Sequence, residues 1–268
     1  MAFEDVYLVS EKLILTPEAE LEELQRWLAA PLPRGYREYM TTLGVGTYCD
    51  LVDPLTPIKI REARDERREF VREYYRKFWG ESESSLAFEE AVTGVFFASS
   101  CDGDEFYYLP AQRRLFVLPR HDEVLFWLEG GFMDPLNWSS PSRRAGVHQP
   151  PFRYFEPAGR DRRFIEFFTA GAFDMRTLAD RFRARWSGQE VRSIPGAECI
   201  DLFPRAIQGR VQLTQATADP RVGVRVDYDN DCLVEVERFA ADLRGMGFFE
   251  TCRHPRAESG STADGREM

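Results

Sequence analysis

The stretch Val95-Phe96-Phe97-Ala98-Ser99-Ser100-Cys101-Asp102-Gly103-Asp104-Glu105-Phe106-Tyr107-Tyr108-Leu109 decides the fold of this chain. Two apolar runs flank Asp102-Gly103, a dipeptide suited to a tight turn because glycine accepts positive φ without a Cβ clash. The pattern predicts a β-hairpin. Further strand-like runs over 115–118 and 124–128 extend it into a mostly antiparallel sheet across residues 95–155.

Upstream the chain reads as helix. Thr16-Pro17-Glu18 is a helix entry, with threonine to cap, proline at the first position and acids against the dipole. Leu21, Leu24 and Leu28 form its apolar stripe. Leu32-Pro33-Arg34-Gly35-Tyr36-Arg37-Glu38-Tyr39-Met40 predicts a second helix. Leu32, Tyr36, Tyr39, Met40 and Leu43 share one face there, and Gly44 is its stop. Short strands are expected over 6–9 and 13–15, and a charged helix over 61–79. The periodicity points Tyr36 and Phe106 inward, as core residues.

The Leu-Pro helix and the Gly-Asp hairpin, in this order and about sixty residues apart, resemble the SUKH superfamily. That superfamily is named from yeast cell-wall-synthesis regulators, and its bacterial members are immunity proteins against polymorphic toxins, often nucleases. The resemblance extends over residues 1–190, taking Phe164-Ile165-Glu166-Phe167-Phe168 as the family's short closing helix. It departs at Leu43-Gly44-Val45-Gly46, where the family carries an Asn-Gly-type turn, and over 61–80, an added helix. The fold expected is α+β, with helices on one face of the sheet. The function implied is a non-catalytic cytoplasmic protein that binds and neutralises a cognate toxin domain. A regulatory or scaffold module, as the yeast members suggest, is the alternative.

Charge narrows the partner. The net charge is −10, and residues 81–135 hold eleven acids against three bases, whereas residues 136–195 hold six against eleven. An acidic segment repels nucleic acid and favours a basic protein, because complementary potentials raise the association rate. Asp102, Asp104, Glu105, Asp122 and Glu123 are nominated as the contact surface by charge and by their place on the hairpin rim. No apolar run is long enough to span a membrane, and residues 1–5 have no signal-peptide character. Five widely spaced cysteines fit thiols in a reducing cytoplasm better than a disulfide framework.

Chemistry-bearing motifs are scarce. Three histidines, His121, His148 and His254, leave little for a metal site, and no cofactor is implied. Asp227-x-Asp229-x-Asp231 begins like a calcium loop. Cys232 then stands where glycine is needed and Arg238 where the glutamate belongs, so a cap-and-turn is the better reading. Gly44-Val45-Gly46 follows a helix and lacks the third glycine of a dinucleotide loop. Cys101 sits among acids, which oppose thiolate formation. No activated nucleophile is recognisable, and catalysis is not expected.

The remainder reads as connection and appendage. Residues 130–157, rich in proline, form an expected long loop. A helix is expected over 174–186 with Leu178, Phe182 and Trp186 in register. After the break at 188–196, residues 197–252 read as a small strand–strand–helix unit. It has strands over 211–213 and 222–226 and a helix over 232–246, followed by Phe248-Phe249. Residues 253–268 read as a disordered tail.

Overall fold

Helices and strands form where apolar spacing demands them in the structure, a computed structural model. It describes residues 3–77, 86–101, 103–120, 125–128, 131–133, 152–196, 198–216 and 219–254. Asp102, Asp122, Glu123, His121, residues 134–151 of the expected loop and residues 255–268 of the expected tail lie outside the described residues. The chain divides between Arg160 and Asp161 into two units.

In the first unit, helix α1 (Glu18–Leu28) buries Leu21, Leu24 and Leu28. Helix α2 (Tyr36–Thr42) begins after Gly35 at φ +81°, so Leu32-Pro33 forms the turn before the helix rather than its first residues. Gly44 closes it at φ +78°, and a Cβ there would lie 2.1 Å from the Ile14 carbonyl oxygen. Helix α3 (Pro57–Tyr74) starts four residues earlier than periodicity suggests. The Thr56 side chain accepts from the Lys59 N–H at its N-terminus, and Pro57 opens the helix. At the equivalent Thr16-Pro17 no side-chain cap forms. A short helix α4 (Phe88–Ala91) leads into the hairpin.

Among the described residues, eight strands make the first sheet, in the order β1-β8-β2-β3-β4-β5-β6-β7. They are β1 (Tyr7–Leu8), β2 (Gly46–Tyr48), β3 (Val52–Pro54), β4 (Val95–Ser100), β5 (Glu105–Leu109), β6 (Arg114–Leu118), β7 (Phe126–Leu128) and β8 (Tyr154–Pro157). Among the described residues, only β1 and β8 run parallel. The predicted hairpin is β4–β5, with Gly103 at φ +87°. Residues 13–15 are not a strand, and the end of the expected 130–157 loop is strand β8. Both faces of this sheet are covered. On one, Phe96, Tyr107, Leu109, Phe116 and Leu118 pack with Val71 of α3 and with Ala91 and Val92. On the other, Tyr36 of α2 meets Phe97 edge-on at 5.0 Å, and the Tyr108 hydroxyl donates to the Pro31 carbonyl at 2.7 Å. The α+β class is as expected; the coverage of two faces rather than one is not.

The second unit is a six-stranded antiparallel sheet, in the order β10-β11-β12-β13-β9-β14. It contains β9 (Arg162–Thr169), α5 (Met175–Arg185), β10 (Val191–Ile194), β11 (Cys199–Pro204), β12 (Arg210–Thr214), β13 (Gly223–Asp229), α6 (Leu233–Gly245) and β14 (Phe248–Arg253). Strand β13 lies between β9 and β12, and β9 lies between β13 and β14. The connection through α6 therefore forms a split β-α-β unit around β9, whereas α5 joins β9 to β10 across the three strands β13, β12 and β11. Both helices pack on one face, where Leu178, Phe182, Val236, Phe239 and Leu243 join Ile165, Phe167, Val211, Val224 and Val226 in one core.

Two expectations are corrected here. Residues 164–168 are not a closing helix; they belong to β9, bonded to β13 on one side and β14 on the other. Ile165 and Phe167 face the helices with period two, and apolar Phe164 and Phe168 on the other face mask the alternation. It follows that the unit boundary lies at Arg160, not near 190. The small appendage is a sheet with its own core, which includes the expected helix over 174–186.

Candidate functional site

The Gly-Asp turn is built inward. The Asp104 N–H donates to the Ser100 hydroxyl at 2.9 Å, and Ser100 N–H donates to the Asp104 carbonyl at 2.8 Å. The Asp104 carboxylate accepts from the Arg120 N–H at 2.9 Å, tying the β4–β5 turn to the end of β6. Asp104 is 2% exposed. A carboxylate so placed holds backbone donors in position and is not presented to a partner.

Glu105 is buried as well. Its carboxylate accepts from Arg67 of α3 at 2.9 Å and from the Tyr107 hydroxyl at 2.6 Å. The Arg67 guanidinium also lies over the rings of Phe96 and Phe70, at 5.2 and 5.6 Å. Burial pushes the Glu105 carboxyl above its ordinary range, against the pull of Tyr107 and Arg67. Burial and the adjacent Glu105 push the Tyr107 phenol well above its own. This cluster fastens α3 to β5. Asp104 and Glu105 are thus removed from the predicted contact surface, because both end inside the fold. Asp102, Asp122 and Glu123 lie outside the described residues.

Exposed acid in the first unit is found elsewhere. Glu62, Asp65, Glu66, Glu69 and Glu73 are all exposed on α3, and the helical repeat sets them along one ridge. Helix α1 beside it adds exposed Glu18, Glu22 and Glu23. Arg61 pairs with Glu23, and Arg64 lies over the Trp27 ring at 5.2 Å, so the two helices are joined beneath the ridge. Arg72 meets Glu69 at 3.1 Å and Arg67 meets Glu66 at 3.8 Å, which neutralises part of it. The spacing of Glu62, Glu66, Glu69 and Glu73 was the sequence signal for this surface. The unit Met1–Arg160 holds 27 acids and 19 bases, a net of −8, against −2 for Asp161–Met268 with 18 and 16.

Two of the described cysteines are poor nucleophiles. Burial pushes the Cys49 thiol up to about 12 and the Cys199 thiol up to about 11. Asp227 is buried and pairs with Arg225 at 3.2 Å and Arg162 at 3.4 Å. Asp229 is buried and caps the 3-10 turn over Asn230–Cys232, accepting from the Asp231 N–H at 3.1 Å. The Asp227–Asp231 run is therefore a strand end and cap. Among the described residues, no three His, Cys, Asp or Glu side chains are grouped to hold a metal ion, and no helix is long and apolar enough to cross a membrane.

The second unit offers a different surface. Opposite its helices, register places Cys199, Thr214, Gly223, Phe168 and Phe249 in one row across β11, β12, β13, β9 and β14. The next row carries Asp201, Gln212, Arg225, Glu166 and Cys252. Arg225 bonds Glu166 at 2.9 Å and lies 4.2 Å over the Phe164 ring, while Gln212 donates to Asp201 at 3.1 Å. Phe168 and Phe249 are 40% and 47% exposed. The sequence reading missed this row because it took 164–168 as helix and left 191–204 without strands. Compared with known proteins, the chain matches no family model, no curated protein and no solved structure.

Proposed function

We propose that this chain is a non-catalytic immunity protein of the cytoplasm, which binds a cognate toxin domain and neutralises it by covering a working surface. One observation carries the reading. The two segments on which the SUKH resemblance rests, sixty residues apart, pack against each other in one core through Tyr36 on Phe97 and Tyr108 on Pro31. Their aromatic residues are structural, with Tyr36 fully buried and Phe106 1% exposed, so recognition is left to the variable exterior. On that exterior the acidic ridge of α3 and α1 is the contact surface we assign, and a basic toxin domain is the partner it suits. Exposed charges of one sign raise encounter rates with a basic partner and act through a screened field.

The test is co-expression with the product of an adjacent toxin-like gene, followed by binding kinetics on the purified pair. Growth should be restored and a complex recovered. Changing Glu62, Glu66 and Glu69 together to Lys should lower the association rate at least tenfold at low salt and flatten its salt dependence. An unaltered rate would remove the ridge from the account. A stable endogenous partner, recovered from cells with no neighbouring toxin gene, would instead favour a scaffold role.

A further inference from the structure

We infer that β10, at the edge of the second sheet, takes an extended segment of a partner protein as an added antiparallel strand, apolar where it meets Val191 and Ser193 and acidic opposite Arg192. This contact belongs to the other unit from the acidic ridge and goes beyond it. The main-chain hydrogen bonds of β10 carry the inference. Register pairs Val191 with Pro204 and Arg192 with Phe203. One step earlier, the Arg205 N–H donates to the Glu190 carbonyl at 3.4 Å. Residues of an antiparallel pair alternate between those that bond each other and those that do not. The Glu190–Arg205 bond therefore makes Arg192–Phe203 and Ile194–Asp201 the bonded pairs, in accord with Pro204, which has no N–H to give Val191. Val191 and Ser193 consequently turn their N–H and C=O groups away from β11. Among the described residues β10 pairs with β11 alone, so these four groups line an open edge. What matches such an alternation of donors and acceptors is another extended chain.

The two faces of β10 and its length define the occupant. Val191 and Ser193 lie on the helix side, where Val191 packs against the core and Arg183 of α5 donates to the Ser193 hydroxyl at 3.3 Å. Residues bonded to them project to that same side, which suits β-branched apolar side chains. Arg192 stands between them on the outward face, exposed, with Glu190 at 2.7 Å. The residue opposite it forms a non-bonded pair, whose side chains lie closest, so an acid is favoured there and a base disfavoured. A second copy fits poorly. Pairing β10 with itself through all four groups sets the two Arg192 side chains against each other. An edge of four residues, roughly 13 Å long, also falls far short of the ~800 Å² per partner of a stable dimer. The opposite edge is closed to strand addition, since β14 bulges between Glu250 and Cys252, and Glu250 and Arg253 bond there at 2.8 Å. Strand β10 has no register shift, and its brevity with Arg192 at the centre admits a matched segment rather than any strand.

The test uses the full chain, labelled with ¹⁵N, and capped pentapeptides. Thr-Val-Glu-Val-Thr should give saturable shifts at the Val191 and Ser193 amides and slow their hydrogen exchange, leaving β14 unchanged. Methylating the backbone nitrogens of both valines removes donors aimed at β10 and should weaken binding at least tenfold. Methylating that of the central glutamate, which is aimed away, should leave binding within about twofold. Lysine in place of the glutamate should weaken binding about threefold. In the protein, Ser193→Pro deletes an edge donor that the β10–β11 ladder does not use and should abolish the shifts, while Ser193→Ala should keep them. Shifts scattered elsewhere, equal binding of the two kinds of methylated peptide, or a lysine peptide as tight as the glutamate one would each overturn the proposal. So would a dimer that Ser193→Pro disperses in sedimentation, which would give the edge to a second copy. No toxin enters the titration, so its outcome and that of the immunity reading stand independently.

Discussion

Strands β5 and β9 each carry aromatic residues on both faces, yet they belong to opposite kinds of sheet. In the first unit β5 is buried along its whole length, because α2 covers one face and α3 with α4 the other. Even its acid, Glu105, must be satisfied internally. In the second unit β9 alternates, with Ile165 and Phe167 against the helices and Glu166 and Phe168 on the outward face. Its acid, Glu166, meets Arg225 on the surface. The difference teaches that charge in the sequence identifies a surface only once the number of covered faces is known. Two acids of similar sequence setting, each flanked by phenylalanine, end as a core fastener and a surface partner.

The division between the two sheets can be broken most severely by truncation. A fragment of residues 1–190 keeps β9 and α5 but removes β13 and β14, the strands on either side of β9. Hydrogen exchange should show residues 162–190 unprotected in that fragment, while 161–268 alone should unfold in one cooperative transition. Protected amides over 165–168 in the 1–190 fragment would restore a boundary near 190.

Alanine substitutions in the two cores should then act separately. Tyr36 and Phe239 are both fully buried, and each should cost about 3–5 kcal/mol when replaced by alanine. For Tyr36→Ala the loss should appear at Phe97 and Tyr108 amides, and for Phe239→Ala at Val224 and Val226. Exchange accelerating equally in both sheets would show one cooperative core. Asp104→Ala is a smaller probe of the covered first sheet. It frees the Arg120 N–H and should cost about 1–3 kcal/mol, while Glu66→Ala on the ridge should stay within about 0.5 kcal/mol. Denaturant melts giving the two variants equal stability would return Asp104 to the surface.

These contrasts also explain what could be read from the residues. The β4–β5–β6 meander was legible because doubly covered strands are continuous apolar runs bounded by turn residues, and Asp102-Gly103 marks its turn. The helix stripes of α1 and α5 were legible because polar residues intervene at helical spacing. Strand β9 was not, since Phe164 and Phe168 put apolar residues on its open face and spoil the period of two. Strands β10 and β11 were hidden for a related reason: Val191-Arg192-Ser193-Ile194 is short, and glycines at 188 and 196 bracket it like a break. Thr16-Pro17 and Thr56-Pro57 look identical, yet only Thr56 caps its helix: α3 starts at Pro57, whereas α1 starts at Glu18 and so has Pro17 rather than Thr16 at its N-cap. The site suffered most. Asp104 and Glu105 were placed on a rim by sequence position, and nothing in the sequence announces the Arg120 N–H or the distant Arg67 that draw them inward.

The smallest effect separates the two units by sign. Glu105 in the first sheet has its carboxyl raised by burial, so the unfolded chain gives up that proton first. Its contribution to stability is full below the ordinary glutamate range near 4.5 and is lost as pH rises through the higher folded value. Glu250 in the second sheet is the reverse: Arg253 and Arg244 hold it down to about 2. Its contribution is present above the ordinary range and lost as pH falls from about 4.5 through about 2. Replacing each by glutamine at pH 7 should therefore act in opposite directions. Glu105→Gln removes a charge that burial disfavours, and Arg67, about one-third exposed, can turn to water when its partner is neutral. Stability should be unchanged or gain up to ~1 kcal/mol, as with other buried pairs replaced by neutral groups. Glu250→Gln weakens two arginine contacts near the surface and should lose up to ~1 kcal/mol. Below pH 3 both differences should shrink. Equal losses at pH 7 would mean that Glu105 draws net stability from Arg67 as a surface pair does, and the two sheets would then treat their acids alike.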